Sequence, residues 1–151
     1  MTYIQGLIET NNWFSESFAY NLGFIPEDKL GWKPVPTASS AYEIVHHIAT
    51  GMANMQSIFL GGQYGEVEIP APTSLAEAQA IIRGIARDYS EFLTGVQPAD
   101  IEGEFELPFG TFPKTICIGM EVQDLIHHHG QICYIQALLG DAETHMFDAG
   151  E

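Results

Sequence analysis

Four stretches of about twenty residues carry apolar side chains at helical spacing, and chain rich in Gly or Pro separates them. The first runs from about Thr2 to Leu22, with Ile4, Leu7, Ile8, Phe14, Phe18 and Leu22 as its apolar members. Pro26 and the stretch from Gly31 to Pro36 then read as an extended connector. Ser39 or Ser40 caps a second helix carrying Ile44, Val45, Ile48, Met52 and Met55, which ends at Gly61-Gly62. After Pro70 and Pro72, the run Ser74-Leu75-Ala76-Glu77 has the form of a capping box. It opens a third helix to about Thr94, with Ile81, Ile85, Tyr89 and Phe92 on one face. The fourth runs from about Lys114 to Leu139 and stops at Gly140, after which the tail from Asp141 to Glu151 reads as short and irregular. From Ile101 to Phe112 the pattern alternates instead of spiralling, as in a short β-hairpin or extended loop before the last helix. Helices that each have one apolar face bury those faces against one another, so the expectation is an all-α four-helix bundle, a single domain over residues 1–151. Connectors longer than simple turns permit a crossover topology.

Charge narrows the function classes. The chain has 5 Lys+Arg against 20 Asp+Glu, a formal net charge of −15. Such a field repels phosphate backbones and anionic lipid, which argues against nucleic acid and membrane as partners. Its plainest meaning is solubility. No apolar run reaches the roughly 18–20 residues of a membrane span. The amino terminus Met1-Thr2-Tyr3-Ile4-Gln5-Gly6 lacks the basic segment and cleavage site of a signal peptide, so a cytoplasmic address is expected. Cys117 and Cys133 would lie about 24 Å apart on one helix, too far to bond, and read as free thiols.

The chemistry lies in Asp124-Leu125-Ile126-His127-His128-His129-Gly130-Gln131. At 100° per residue, Cys117, Glu121, Asp124, His128, Gln131 and Ile135 share one narrow stripe of the fourth helix. Ile118, Val122, Leu125, Ile126, Ile132, Leu138 and Leu139 occupy its other faces, so the helix reads as buried nearly all round. A buried carboxylate and imidazole need a compensating partner, and a cation is the simplest one. His46-His47 sits in the apolar run of the second helix, where Glu43, His47 and Thr50 share a side. One histidine from there, with Asp124 and His128, would give three ligands and open positions, the style of a catalytic metal site. His46 and His127 read as packing residues, with a supporting role also open to His127, and His145 as solvated.

A second metal pattern competes. Glu43-x-x-His46 and Asp124-x-x-His127 have the spacing found in di-iron carboxylate bundles. That site also needs a lone acid from each remaining helix, from Glu9 or Glu16 and from Glu77, Asp88 or Glu91, and none of these stands on an apolar face.

The segments Ser40 to Ala49, Ser-x-x-x-Ile-Val-His-His-Ile-Ala, and His127 to Gly140, His-His-x-Gly-Gln-x-x-Tyr-x-x-x-Leu-Leu-Gly, resemble the DinB/YfiT-like family over nearly the whole chain. The resemblance implies a four-helix bundle, commonly a homodimer, holding one divalent transition metal (Zn, Ni, Mn or Fe). It implies ligands at His47, His128 and Asp124. The chain departs from the family in two places: Asp124 stands where histidine is usual, and His129 where arginine is usual. A carboxylate remains a competent ligand but lowers the charge of the site by one, so the ion should be a weaker Lewis acid than in an all-histidine relative. The activity implied is a thiol-dependent transferase of the bacillithiol type or a metal-dependent hydrolase acting on a small-molecule substrate. In the first case a low-molecular-weight thiol is the cosubstrate. Glu43 and Glu121, each near one turn from a ligand, are candidates for a general base or for supporting the ligands. The alternative is a small-ligand-binding or stress-response bundle without catalysis, its site empty or structural.

Overall fold

The computed structural model describes residues 1–145. Four α-helices dominate it: α1 Tyr3–Leu22, α2 Ala41–Phe59, α3 Leu75–Gly95 and α4 Lys114–Leu138. Their starts are written in local chemistry. Thr2 accepts from the Gln5 amide while the Gln5 side chain returns to the Thr2 amide, a full capping box. Ser40 and Glu43 do the same for α2. At α3 only half of the expected box forms. Ser74 Oγ accepts from the Glu77 amide at 3.2 Å, but the Glu77 carboxylate takes the amide and hydroxyl of Thr73 instead of the Ser74 amide. Gly140, at φ 103°, follows the end of α4.

Helix α1 packs against α3 and α4, and α2 packs against the same two. Consecutive helices α1 and α2 therefore lie across one diagonal of the bundle, and α3 and α4 across the other. The long connectors are what these crossings require. A 3₁₀ turn at Glu27–Lys29 shapes the first connector and another at Pro98–Ile101 the third. The alternating stretch forms an antiparallel hairpin, β1 Glu104–Leu107 and β2 Gly110–Pro113, paired from Glu104↔Pro113 to Leu107↔Gly110.

The core is filled by Phe18 and Leu22 of α1, Ile44, Ile48, Met52 and Met55 of α2, Ile82, Tyr89 and Leu93 of α3, and Ile118, Val122, Leu125 and Ile132 of α4. Each such side chain contributes about 1.5–3 kcal/mol by leaving water. The buried Tyr89 hydroxyl donates to the Ile118 carbonyl at 2.9 Å and so escapes the cost of an unpaired polar group. Two patterns differ from expectation. The inward face of α3 is Ala78, Ile82, Ala86, Tyr89 and Leu93, with Ile81, Ile85 and Phe92 half-buried at its flanks, because contact with two neighbours rotates the helix. Helix α4 is not buried all round: Gln123, His127, Gly130, Tyr134 and Leu138 form an exposed edge.

Nor is His145 simply solvated. Its ring stacks on Phe24 at 3.5 Å, and its Nε2 pairs with Asp141 Oδ2 at 2.9 Å. The remainder of the tail lies outside the described residues. Among the described residues, no helix is long and apolar enough to cross a membrane.

Candidate metal centre

Adjacency of α2 and α4 brings His47 against Asp124 and His128. His47 Nε2 lies 3.1 Å from Asp124 Oδ2, and His128 Nε2 lies 3.4 Å from the same oxygen. The three ligand atoms fall within 4.8 Å of one another, and among the described residues no other group of three or more metal-ligating side chains converges in this way. The i, i+4 spacing on α4 places the second pair; helix packing supplies His47. Side-chain exposure is graded across the group, 61% for His47, 31% for Asp124 and 14% for His128. The site is therefore anchored at His128 and opens at His47.

The hydrogen bonds around His128 settle its tautomer. Gln131 Oε1, an acceptor only, lies 2.7 Å from His128 Nδ1, while the Gln131 amide nitrogen donates to His127 Nε2 at 3.0 Å. His128 Nδ1 thus carries the proton, and the Nε2 lone pair faces the Asp124 carboxylate. Two electron-rich atoms at 3.4 Å with no proton between them repel each other unless a cation joins them. Zinc bonds of about 2.0–2.2 Å at a tetrahedral angle would separate two ligand atoms by about 3.4 Å. Donor chemistry, spacing and tautomer all fit a divalent ion.

The charges respond as this geometry dictates. The hydrogen bond with Asp124 raises the pKa of His47 against the opposing effect of burial. Burial lowers that of His128, outweighing the hydrogen bond to Gln131 and the charge of Asp124. Burial works to raise the Asp124 carboxyl, but the His47 hydrogen bond and the neighbouring imidazoles hold it below its ordinary value. Proton-sharing between His47 and Asp124 thus occupies, in the metal-free protein, the place a cation would take.

A cavity of about 400 Å³ opens beside the triad, reaching His47, Asp124 and His127. Its walls come from two connectors. Tyr64, from the segment after α2, meets Phe109, at the hairpin tip, edge to face at 5.7 Å. Buried Asn54 pins the Tyr64 segment: its side-chain oxygen accepts from the amides of Gly65 and Val67, and its nitrogen donates to the Val67 carbonyl at 2.7 Å. Glu121 lies at the base, 6% exposed. Burial first, and then the charge of Asp124, push its carboxyl up to about 7, with His47 opposing. Gly51 makes this placement possible, since a Cβ there would collide with the Glu121 carboxylate. A larger cavity, about 670 Å³, lies away from the triad between Phe59 and Phe92 and contains no imidazole.

The profile of the DinB superfamily matches residues 16–132. The chain belongs to the DinB superfamily. Its fold is similar to that of a DinB-like protein, YjoA, from Bacillus subtilis: TM-score 0.74 and 16% identity, over 91% of this chain and 94% of that one. No curated protein matches the chain.

Within this DinB-superfamily bundle, the anticipated residues separate. His47, Asp124 and His128 come together, and Glu121 faces the cavity beside them. Glu43 does not join them. Its carboxylate accepts from the Ser40 amide and pairs with Lys33 at 2.6 Å, which holds it below its ordinary pKa at the exposed start of α2. The lone acids that a di-iron site would need, Glu9, Glu16, Glu77, Asp88 and Glu91, are all exposed. His46 is half-buried and His127 exposed. His129 is buried against Phe14, and its Nε2 donates to Asn21 Oδ1 at 2.8 Å. Gly51, Asn54 and Tyr64 escaped the sequence reading. The one available signal was Gly51, a helix-interior glycine that costs about 1 kcal/mol and so asks for a reason.

Proposed function

We propose that this chain is a divalent-metal-dependent enzyme acting on a small molecule, with one ion held by His47, Asp124 and His128. The observation that carries the reading is the bare Nε2 lone pair of His128, fixed by Gln131 at 2.7 Å and aimed at the Asp124 carboxylate. A histidine that donates its other ring proton to a carbonyl oxygen is the arrangement typical of a metal ligand. When bound, the ion supplies Lewis-acid polarisation of an oxygen or sulfur donor.

The protein's own groups then have distinct tasks. Gln131 orients the His128 ring and keeps it neutral. Asp124 offsets one unit of the ion's charge. His47, the most exposed of the three, must give up its proton when the ion arrives. Glu121 can accept or hold a proton within the cavity, where a carboxyl that titrates near neutrality is suited to general-base work. Tyr64 and Phe109 form an aromatic wall on one side.

Between the two reactions anticipated, metal-dependent hydrolysis is favoured over transfer from a multiply charged thiol. No lysine or arginine lines the cavity to receive the carboxylates of such a cosubstrate. Metal analysis of purified, untagged protein tests the reading: one ion per chain supports it. Two ions would point to a carboxylate-bridged centre, and none would leave a binding bundle without catalysis.

A further inference from the structure

The chain has five cationic side chains, and all are committed away from the cavity. Lys29 pairs with Asp28, Lys33 with Glu43, Arg83 with Glu16 and Arg87 with Asp88, while Lys114 sits over the Phe105 ring at 4.8 Å. Inside the cavity the balance is reversed. The Glu121 carboxylate is 6% exposed, lines the cavity, and among the described residues has neither a hydrogen bond nor an ion pair. Its oxygens are not among the polar atoms sealed from water without a partner, so they open to the cavity and offer an acceptor to a cationic group there.

The cavity indicates what that partner is. Tyr64 and Phe109 meet edge to face at one wall, and Met120 adds a polarizable apolar surface. Aromatic faces attract cations, and thioethers adapt to flat apolar bodies. Asp124 would offset one of the two charges of a divalent ion on the triad, and the whole chain carries −15. That field draws cations in and repels anions.

We propose that the substrate is an organic cation, an ammonium group on an apolar or aromatic body, with the ammonium on Glu121 and the body against Tyr64, Phe109 and Met120. This deepens the metal-enzyme reading by naming its substrate class, and it rests on that reading only for the reaction, not for the binding. Paired with an ammonium, Glu121 selects charge and no longer serves as the general base.

The test uses three probes of one shape, benzylammonium, benzyl alcohol and benzoate, titrated by ligand-observed NMR into zinc-loaded and metal-free protein at neutral pH. Benzylammonium should bind about tenfold more tightly than benzyl alcohol, and benzoate more weakly than either, in the metal-free form, where no ion can take the benzoate carboxylate directly. Glu121→Gln should remove the tenfold advantage and leave benzyl alcohol unchanged. Gln123→Lys, at an exposed lining position, should weaken benzylammonium and strengthen benzoate without touching the buried carboxylate. Benzoate binding the metal-free form as tightly as benzylammonium, or a charge order that both variants leave intact, would overturn the proposal. Zinc stoichiometry, read separately, decides the metal centre: a chain that takes up no zinc but keeps the cation order refutes the metal reading and not this one.

Discussion

His128 and His129 are neighbours in sequence and face different seams of the bundle. On the α1–α4 seam, the side chains that meet His129 Nε2 are paired within the protein. His129 donates to Asn21 Oδ1, the Asn21 amide nitrogen donates to Gln136 Oε1 at 2.9 Å, and Gln136 passes its own protons to the Asp141 and Glu143 carbonyls. On the α2–α4 seam the account does not close. The His128 lone pair faces a carboxylate, His47 is open to solvent, and Glu121 lines the cavity with no hydrogen bond or ion pair among the described residues. The first seam is a closed network that fixes how α1 docks and ties down the chain after α4. The second has the same residue types but leaves a lone pair, a carboxylate and an open imidazole facing one another. A buried histidine thus signals function when its lone pair points at another acceptor, and structure when its proton already has a home.

The sharpest separation of the seams comes from truncating one histidine in each. His128→Ala should lower metal affinity by more than about 100-fold, since loss of a ligand exceeds the 10–100-fold typical of its supporting partners. His129→Ala should leave metal affinity unchanged; competition titration with a chromogenic chelator reads both. Next in size, Asn21→Ala strands the His129 proton and Gln136 Oε1 in the core and should cost about 2–4 kcal/mol in urea unfolding, with zinc stoichiometry unaltered. An Asn21→Ala protein that lost its metal but kept its stability would reverse the assignment of the two seams.

Glu121 tests the open seam by pH. Its carboxyl sits at about 7 when folded against an ordinary 4.5. Between those values the folded, metal-free protein holds a proton that the unfolded chain has released, so stability falls as pH rises through this window. Glu121→Gln should therefore be more stable than the parent at pH 7 and above, by up to about 3 kcal/mol, and lose that advantage below the ordinary carboxyl range. Chemical unfolding of both proteins across this window checks it. Gln131→Ala is the smallest of the series: about 10–100-fold in metal affinity, with little change in unfolding because Gln131 is only half-buried.

Legibility in the sequence followed the range of the interactions. A serine cap on α2 was readable, with Ser39 and Ser40 both candidates, and so was the Asp124–His128 pair, because one helical turn sets its geometry. Ser74 and Glu77 show the limit of this: the acid found Thr73, one residue outside the motif, and the pattern does not encode that choice. His47 entered through the family resemblance, since periodicity left it level with His46. The crossed connectivity, the Asn54 clamp on the Tyr64 segment and the fit of Glu121 against Gly51 all depend on which helices become neighbours. The exposed edge of α4 was hidden for the same reason, because Tyr134 and Leu138 are apolar and outward-facing together. His129 looked like a departure from a family motif; it is a core donor whose acceptor lies 108 residues away.

The most direct measurement is an anomalous difference map from crystals of the zinc-reconstituted protein, collected at the zinc edge. The account predicts one peak per chain between α2 and α4, within bonding distance of His47 Nε2, Asp124 Oδ2 and His128 Nε2. No peak there, a peak bound by His127 or His129 instead, or a pair of peaks would contradict it.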